Sequence, residues 1–250
     1  MADWSLSDAY GEQTGDILSL ELGNNLYEQL LSDPHFSRRI QSVRKEVFNR
    51  LGVYLPSVRI RSHSELEPNH YRICIRGNRL ADGILHPPLR FSLTAKEGTV
   101  ALHPVERVNG RWNPQEGEEA ATILLTHLRQ VIDRRLDQLI TYDWVARWLK
   151  QAKSHTPDLV KELEERGLTP GILWSISKLL LKERVPLHPF EELLETVLEY
   201  YLIHPHEGYT PPEWTHPHPS DIAKFIAHKK KDRRLPLRSN KAKVIGFNGK

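Results

Sequence analysis

Two His-Pro-His triplets, His204-Pro205-His206 and His216-Pro217-His218, stand close together with Glu207 and Glu213 between them. Imidazole and carboxylate donors at that density could collect zinc, nickel or copper. The proline inside each triplet fixes the backbone without converging the two rings, so the pattern reads as a polar loop and no metal is expected. Carboxylates cluster at Glu162, Glu164 and Glu165 and again at Glu191, Glu192, Glu195 and Glu199. At helical spacing these fall opposite the apolar stripe, as solvated faces do, and none is marked as an isolated, desolvated general acid. The single cysteine, Cys74, sits between Ile73 and Ile75, which favours an inert buried thiol or a plain surface one. No Gly-x-Ser-x-Gly and no Gly-x-x-x-x-Gly-Lys occurs, so neither a nucleophile elbow nor a phosphate-cradling loop is expected. The chain reads as a binding protein without catalytic residues or cofactor, and not as an enzyme.

Charge offers two binding candidates. Lys224 to Lys250 carries ten Lys or Arg against the single acid Asp232, so this tail sums to +9 and the rest of the chain to −6. Its densest run, Lys229, Lys230, Lys231, Arg233 and Arg234, could hold a polyanion by charge alone. A basic tail has no groove-reading module, so a solubilising or partner-binding role is the expectation, and binding of nucleic acid or an anionic surface is the alternative. The second candidate is an arginine-rich strand face, Arg59, Arg61, Arg72 and Arg76, which is either an ordinary exposed sheet face or a surface for an acidic partner.

These residues need elements to position them. Ile17 to Leu22 alternates as a half-buried strand and is closed by Gly23-Asn24-Asn25. Ser32 or Asp33 caps a helix whose first turn holds Pro34 and whose apolar face is Phe36, Ile40, Val43, Val47 and Leu51, stopped by Gly52. Arg38, Arg39, Arg44, Lys45 and Arg50 lie on its outer face. Val58 to Arg61 and Tyr71 to Arg76 alternate as strands, and Gly77-Asn78 turns the chain into a partner strand over Arg79 to Leu85. Pro87 to Gly117 is proline-rich, with one short hairpin about Gly98 between Ser92 and His103. From Glu118 the period changes. Ala121, Leu124, Leu125, Leu128, Ile132, Leu136 and Leu139 make one long amphipathic helix. Further helices follow behind Asp143, Thr156-Pro157, Thr169-Pro170 and Val185-Pro186. The expected fold class is α+β: a small mixed sheet with packed helices, then an all-α bundle and an extended basic tail. The expected division is a flexible leader over 1–16, an α+β domain over 17–142, a bundle over 143–203, and a His/Pro-rich linker with basic tail over 204–250.

A chain of 250 residues with 39% hydrophobic and 27% charged content suits one large or two modest folded domains. One cysteine excludes an internal disulfide framework and fits a reducing compartment. Apolar runs such as Ile123 to Leu125 and Leu179 to Leu181 are far short of the roughly 20 residues that span a bilayer. The acidic leader is neither a signal nor a transit peptide, so a cytoplasmic location is expected.

Five collinear segments resemble the cytoplasmic region of the FHIPEP export-gate family of flagellar and type III secretion. They are Asp16 to Gly23 (DILSLELG), Arg44 to Arg61 (RKEVFNRLGVYLPSVRIR), Asn69 to Leu85 (NHYRICIRGNRLADGIL), Thr126-His127-Leu128 with Val131-Ile132, and Leu179 to Pro186 (LLLKERVP) with Leu193-Leu194-Glu195. The resemblance covers about Asp16 to Tyr201. It implies a soluble adaptor that docks export chaperones, export substrates or a full-length gate protein, and a possible homo-oligomer in the form of a ring. It also implies that the sheet and the Glu118–Thr141 helix form one discontinuous domain, and that Thr126 belongs to a chaperone-docking dimple. Three features depart from the family. Its membrane-embedded half has no counterpart here, the segment between Leu85 and Glu118 is shorter than its inserted subdomain, and a linker and basic tail stand where it has a final α/β subdomain.

Overall fold

The computed structural model describes residues 16–204 and 218–232. The leader over 1–15, Glu207, Glu213, His206, His216, Arg233 and Arg234 lie outside the described residues. Strand β1 (Leu18–Leu22) is central to a four-stranded mixed sheet of order β2-β1-β3-β4. It runs parallel to β2 (Val58–Ser62) and antiparallel to β3 (His70–Ile75), which pairs with β4 (Asn78–Ile84). Leu18, Leu20 and Leu22 are fully buried, as are Tyr71 and Ile73 in register with them. The strand alternation therefore sets one wholly apolar face against the core.

Three local expectations change here. Asn24 does not end in a turn but begins helix α1 (Asn24–Leu31), because Leu26 and Leu30, one helical turn apart, are both buried. Ser32 consequently closes α1, its Oγ donating to Gln29 O at 2.8 Å, and is not a cap for the next helix. Asp33 shapes the approach to α2 (Phe36–Leu51), its carboxylate accepting from His35 N at 2.8 Å. The β3–β4 turn is built on Arg76 (φ 50) and Gly77 (φ 76), with Asn78 already paired to Ile75. Two successive positive φ angles are the geometry that matches strand twist in a two-residue hairpin.

The proline-rich segment folds further than one hairpin. Strands β5 (Arg90–Ser92), β6 (Thr99–Leu102), β7 (Asn109–Asn113) and β8 (Glu118–Glu119) form a second sheet of order β6-β7-β5-β8. Ser92 and Thr99 are not partners, since β5 and β6 flank β7 on opposite sides. Buried Trp112 on β7, edge-on to Phe91 with ring centroids 5.3 Å apart, supplies the small core that the strands lack singly.

Helix α3 (Ala120–Arg134) then returns to the first sheet and packs on α2 and β4. The expected long helix breaks at Arg135 (φ −131, ψ 28), and Leu136 and Leu139 continue on short α4 (Leu136–Leu139), both buried and turned toward the bundle. The bundle comprises α5 (Tyr142–His155), α6 (Pro157–Glu165), α7 (Pro170–Lys182) and α8 (Phe190–Ile203). Thr141 and Thr169 cap α5 and α7 through their hydroxyls. Thr156 does not cap α6; its Oγ1 donates back to Ala152 O at 3.2 Å.

The stretch expected to be linker and extended tail contains one more helix, α9 (Pro219–Asp232), which packs on α7 and α8. Ile222 and Ile226 are fully buried and Ala223 nearly so. Full burial is worth roughly 2 kcal/mol per isoleucine, which holds one face of α9 against the bundle while Lys224 and Lys231 stay exposed.

Candidate functional site

The outer face of the first sheet carries three of the four expected arginines. Strand register sets Arg61, Glu21 and Arg72 side by side on β2, β1 and β3, with Asp82 next on β4. This row alternates in sign across all four strands, the arrangement that opposite cross-strand charges favour. Asp16 pairs with both Arg61 and Arg59, the latter at 3.6 Å. Arg79 and His70 approach Asp82 at 4.0 and 3.3 Å. The face is thus a mixed-charge ladder and not a bare cationic surface. Arg76 does not share it: from the hairpin turn its Nε donates to Gln138 O at 3.0 Å, tying the turn to α4.

Thr126 lies half-buried on α3, along the seam with α2. Arg39 donates to Thr122 Oγ1 at 2.6 Å, Arg129 meets Glu46 at 2.6 Å, and Arg50 pairs with Asp133. Each of these pairs spans 83 positions, so the two helices run parallel in fixed register. The same offset sets Thr126 level with buried Val43.

The next residue, His127, is buried, and its Nδ1 lies 2.6 Å from Tyr71 Oη on β3. Burial pushes the Tyr71 hydroxyl well above its ordinary range, with Asp82 adding to the rise and Arg107 opposing it. Burial also pushes His127 down, aided by Arg107, Arg134 and His103 and opposed by Asp82. Both groups therefore stay neutral at pH 7, and in the tautomer with the imidazole proton on Nε2 the phenol donates to Nδ1. This bond pins the closing helix to the sheet immediately beside Thr126. Composition and spacing did not single it out, although both residues lie inside segments that carried the family resemblance.

The tail lysines are engaged with the fold. Lys229 pairs with Glu199 on α8, and Lys230 Nζ donates to Pro186 O at 2.9 Å and His188 O at 3.0 Å. Of the run expected to hold a polyanion, Lys231 remains exposed, and Arg233 and Arg234 lie outside the described residues. His204 stacks on Tyr200 with centroids 4.3 Å apart, and His218 bonds Ser220 Oγ at 2.8 Å. Among the described residues no group of His, Cys, Asp and Glu is arranged to hold a metal. The bundle carboxylates are surface partners, Glu162 to Arg166 at 2.8 Å and Glu164 to Lys153 at 2.6 Å. Cys74 is buried, and burial followed by the nearby Glu21 raises its thiol, opposed by a hydrogen bond to Ser19 and by Arg72 and Arg79.

The FHIPEP family model matches residues 7–208. The flagellar biosynthesis protein FlhA of Helicobacter pylori is 24% identical over 208 residues, covering 76% of this chain and 27% of that protein. The FlhA of Escherichia coli is 26% identical over 216 residues, covering 78% and 31%. The chain thus spans less than a third of the length of these relatives. Among solved structures, the Chlamydia pneumoniae CdsV protein superimposes with a TM-score of 0.68 over 90% of this chain and 67% of that one, at 16% identity. CdsV in complex with CdsO gives 0.67 at 16% identity, over 85% and 68%. Nonameric SctV-C of enteropathogenic E. coli (EPEC) gives 0.58 at 12% identity, over 84% and 63%. At these identities the structural likeness speaks for the fold alone. No helix among the described residues is long and apolar enough to cross a membrane.

Proposed function

Because the chain belongs to the FHIPEP family, we propose that it is a binding component of a flagellar or type III export apparatus, acting on the cytoplasmic side. It docks export substrates, their chaperones or the cytoplasmic ring of a full-length gate protein, and it catalyses no reaction itself. The observation that carries this reading is its extent: one family match over residues 7–208 takes in the first sheet, the second sheet, the closing helix and the bundle. A ring of copies, alone or mixed with a full-length relative, is consistent with the nonameric assembly of a structural neighbour. A protein partner is consistent with the CdsV and CdsO complex.

Thr126 and the outer-face Arg59, Arg61 and Arg72 are the proposed contact residues on the α+β half. Arg76 is left out of this set because it stands in the hairpin turn, where its Nε donates to Gln138 O. Polyanion binding through the tail is the less supported reading, because Lys229 and Lys230 are spent on the bundle. The test is a pull-down with purified protein against export chaperones, with and without substrate, and against the isolated cytoplasmic ring of a full-length gate. Capture that weakens on Thr126→Asp supports the proposal. Failure to bind any of them sinks it.

A further inference from the structure

The side of α2 turned away from α3 carries an unusual patch. Phe48 and Tyr54 are 48% and 59% exposed, and with Gln41, Arg44, Lys45 and Leu55 they line a surface dent of about 390 Å³. Single exposed apolar residues are ordinary, but two adjacent aromatics around one concavity are not. The dent is also held in shape. The Arg44 guanidinium donates twice to Leu55 O, at 3.3 and 2.7 Å, and lies 5.4 Å from the centre of the Tyr54 ring. That stacking fixes the ring and leaves the positive charge at the rim.

Charge around the patch has one sign. At 100° per residue, Gln41, Lys45 and Phe48 share a stripe, and Arg38 lies one heptad before Lys45 on it. Arg38 and Lys45 are exposed. The acid of this part of α2, Glu46, points to the opposite side, where it meets Arg129. The stripe therefore offers cations and aromatics without a carboxylate among the described residues. This differs from the sheet face, where each arginine has an acid beside it.

We infer that this face of α2 is a docking site for a short acidic segment of a partner protein, one that inserts a single large apolar side chain between Phe48 and Tyr54 and sets its carboxylates against Arg38, Arg44 and Lys45. Such a site needs no loop closure, because Arg44 already holds Leu55 O and lies over the Tyr54 ring, and preorganisation lowers the cost of binding. The volume suits one or two side chains and not a whole helix face. The site lies on the far side of α2 from the seam that holds Thr126, so it stands apart from the proposed chaperone contact.

The test uses the full chain and a fluorescein-labelled peptide, Glu-Asp-Glu-Leu-Phe-Glu-Asp-Glu, read by fluorescence anisotropy. Two control peptides replace the carboxylates by amides, or Leu-Phe by Ser-Ser. Saturable binding of the first peptide is expected, with both controls weaker by about tenfold or more. Phe48→Ser and Lys45→Glu, both on the surface, should each cause a similar loss while the thermal melt stays unchanged. The inference is overturned if the acidic peptide does not saturate, if the amide peptide binds equally, or if neither variant weakens it. It is also overturned if Phe48→Ser changes the size of the protein in solution but not peptide affinity, which would make the face a contact between copies. Equal loss of a single-stranded oligonucleotide on the same variants would overturn it in favour of nucleic acid. The proposed export role survives any of these outcomes, because its own test reads chaperone and ring capture.

Discussion

Tyr71→Phe removes one oxygen from the joint between the sheet and the closing helix, and its consequence can be worked out. The hydroxyl lies 2.6 Å from His127 Nδ1, both side chains are buried, and the replacement leaves that nitrogen without its donor. Stranding a buried acceptor costs about 1–3 kcal/mol. For a chain of this size about 2 kcal/mol corresponds to a fall in Tm of roughly 4–8 °C at neutral pH. The second consequence is a change in acid sensitivity. His127 titrates below its ordinary value in the folded state, so as pH falls through about 6.5 the unfolded chain takes up the proton first. The stability from neutral His127 is therefore complete above that pH and lost progressively below it, down to the folded value. With the imidazole proton on Nε2, protonation also removes the acceptor that Tyr71 uses, so Tyr71→Phe should flatten the acid limb. His127→Gln keeps an acceptor, removes the titration and should flatten it further. His86, lowered by burial in the same direction, supplies a background that all three proteins share. The assay is a set of calorimetric melts between about pH 7.5 and 5. A cost under about 0.5 kcal/mol for Tyr71→Phe, or an acid limb in His127→Gln as steep as in the parent, would refute the reasoning.

Two other outcomes follow from the packing. Gly52 ends α2 at φ 71, and a Cβ there would stand 2.8 Å from His188 Cβ and 2.9 Å from His188 N. Gly52→Ala combines a left-handed backbone with a backbone clash against the loop before α8, so denaturant melts should show a loss above about 2 kcal/mol. Cys74 is buried and its thiol is raised, so an aromatic disulfide reagent should label the native protein far more slowly than the denatured one. Equal rates would contradict its placement.

Much of the α+β half was legible from local pattern. Leu18, Leu20 and Leu22 alternate at the period of two that puts them on one sheet face, and Phe36 through Leu51 recur at the helical period, so composition and spacing alone assign both. The five motifs pointed to the family for the same reason: each is a contiguous run. What failed locally failed by competition. Asn24 looked like a turn residue until Leu26 and Leu30 found a core to bury in. The proline-rich segment looked like loop because strands of two to five residues acquire stability only from one another and from Trp112. Of the arginine face, alternation placed Arg59, Arg61 and Arg72 together. Arg76 left the set because the turn sits one residue earlier than Gly77-Asn78 suggests.

By itself, the sequence determined the element periods, the absence of recognisable catalytic motifs and the resemblance to an export gate, because these depend on neighbours along the chain. Only the tertiary structure decided which charges are free. The sheet arginines are balanced by Asp16, Glu21 and Asp82 through strand register, and Lys229 and Lys230 are drawn into the bundle by the burial of Ile222 and Ile226. Among the described residues the cations of α2 around Phe48 and Tyr54 have no such ion pair, and Glu46, the one acid of that helix, faces the opposite side. A charge adds most to a binding surface where folding has left it without an opposite partner, and that depends on contacts between residues far apart in sequence.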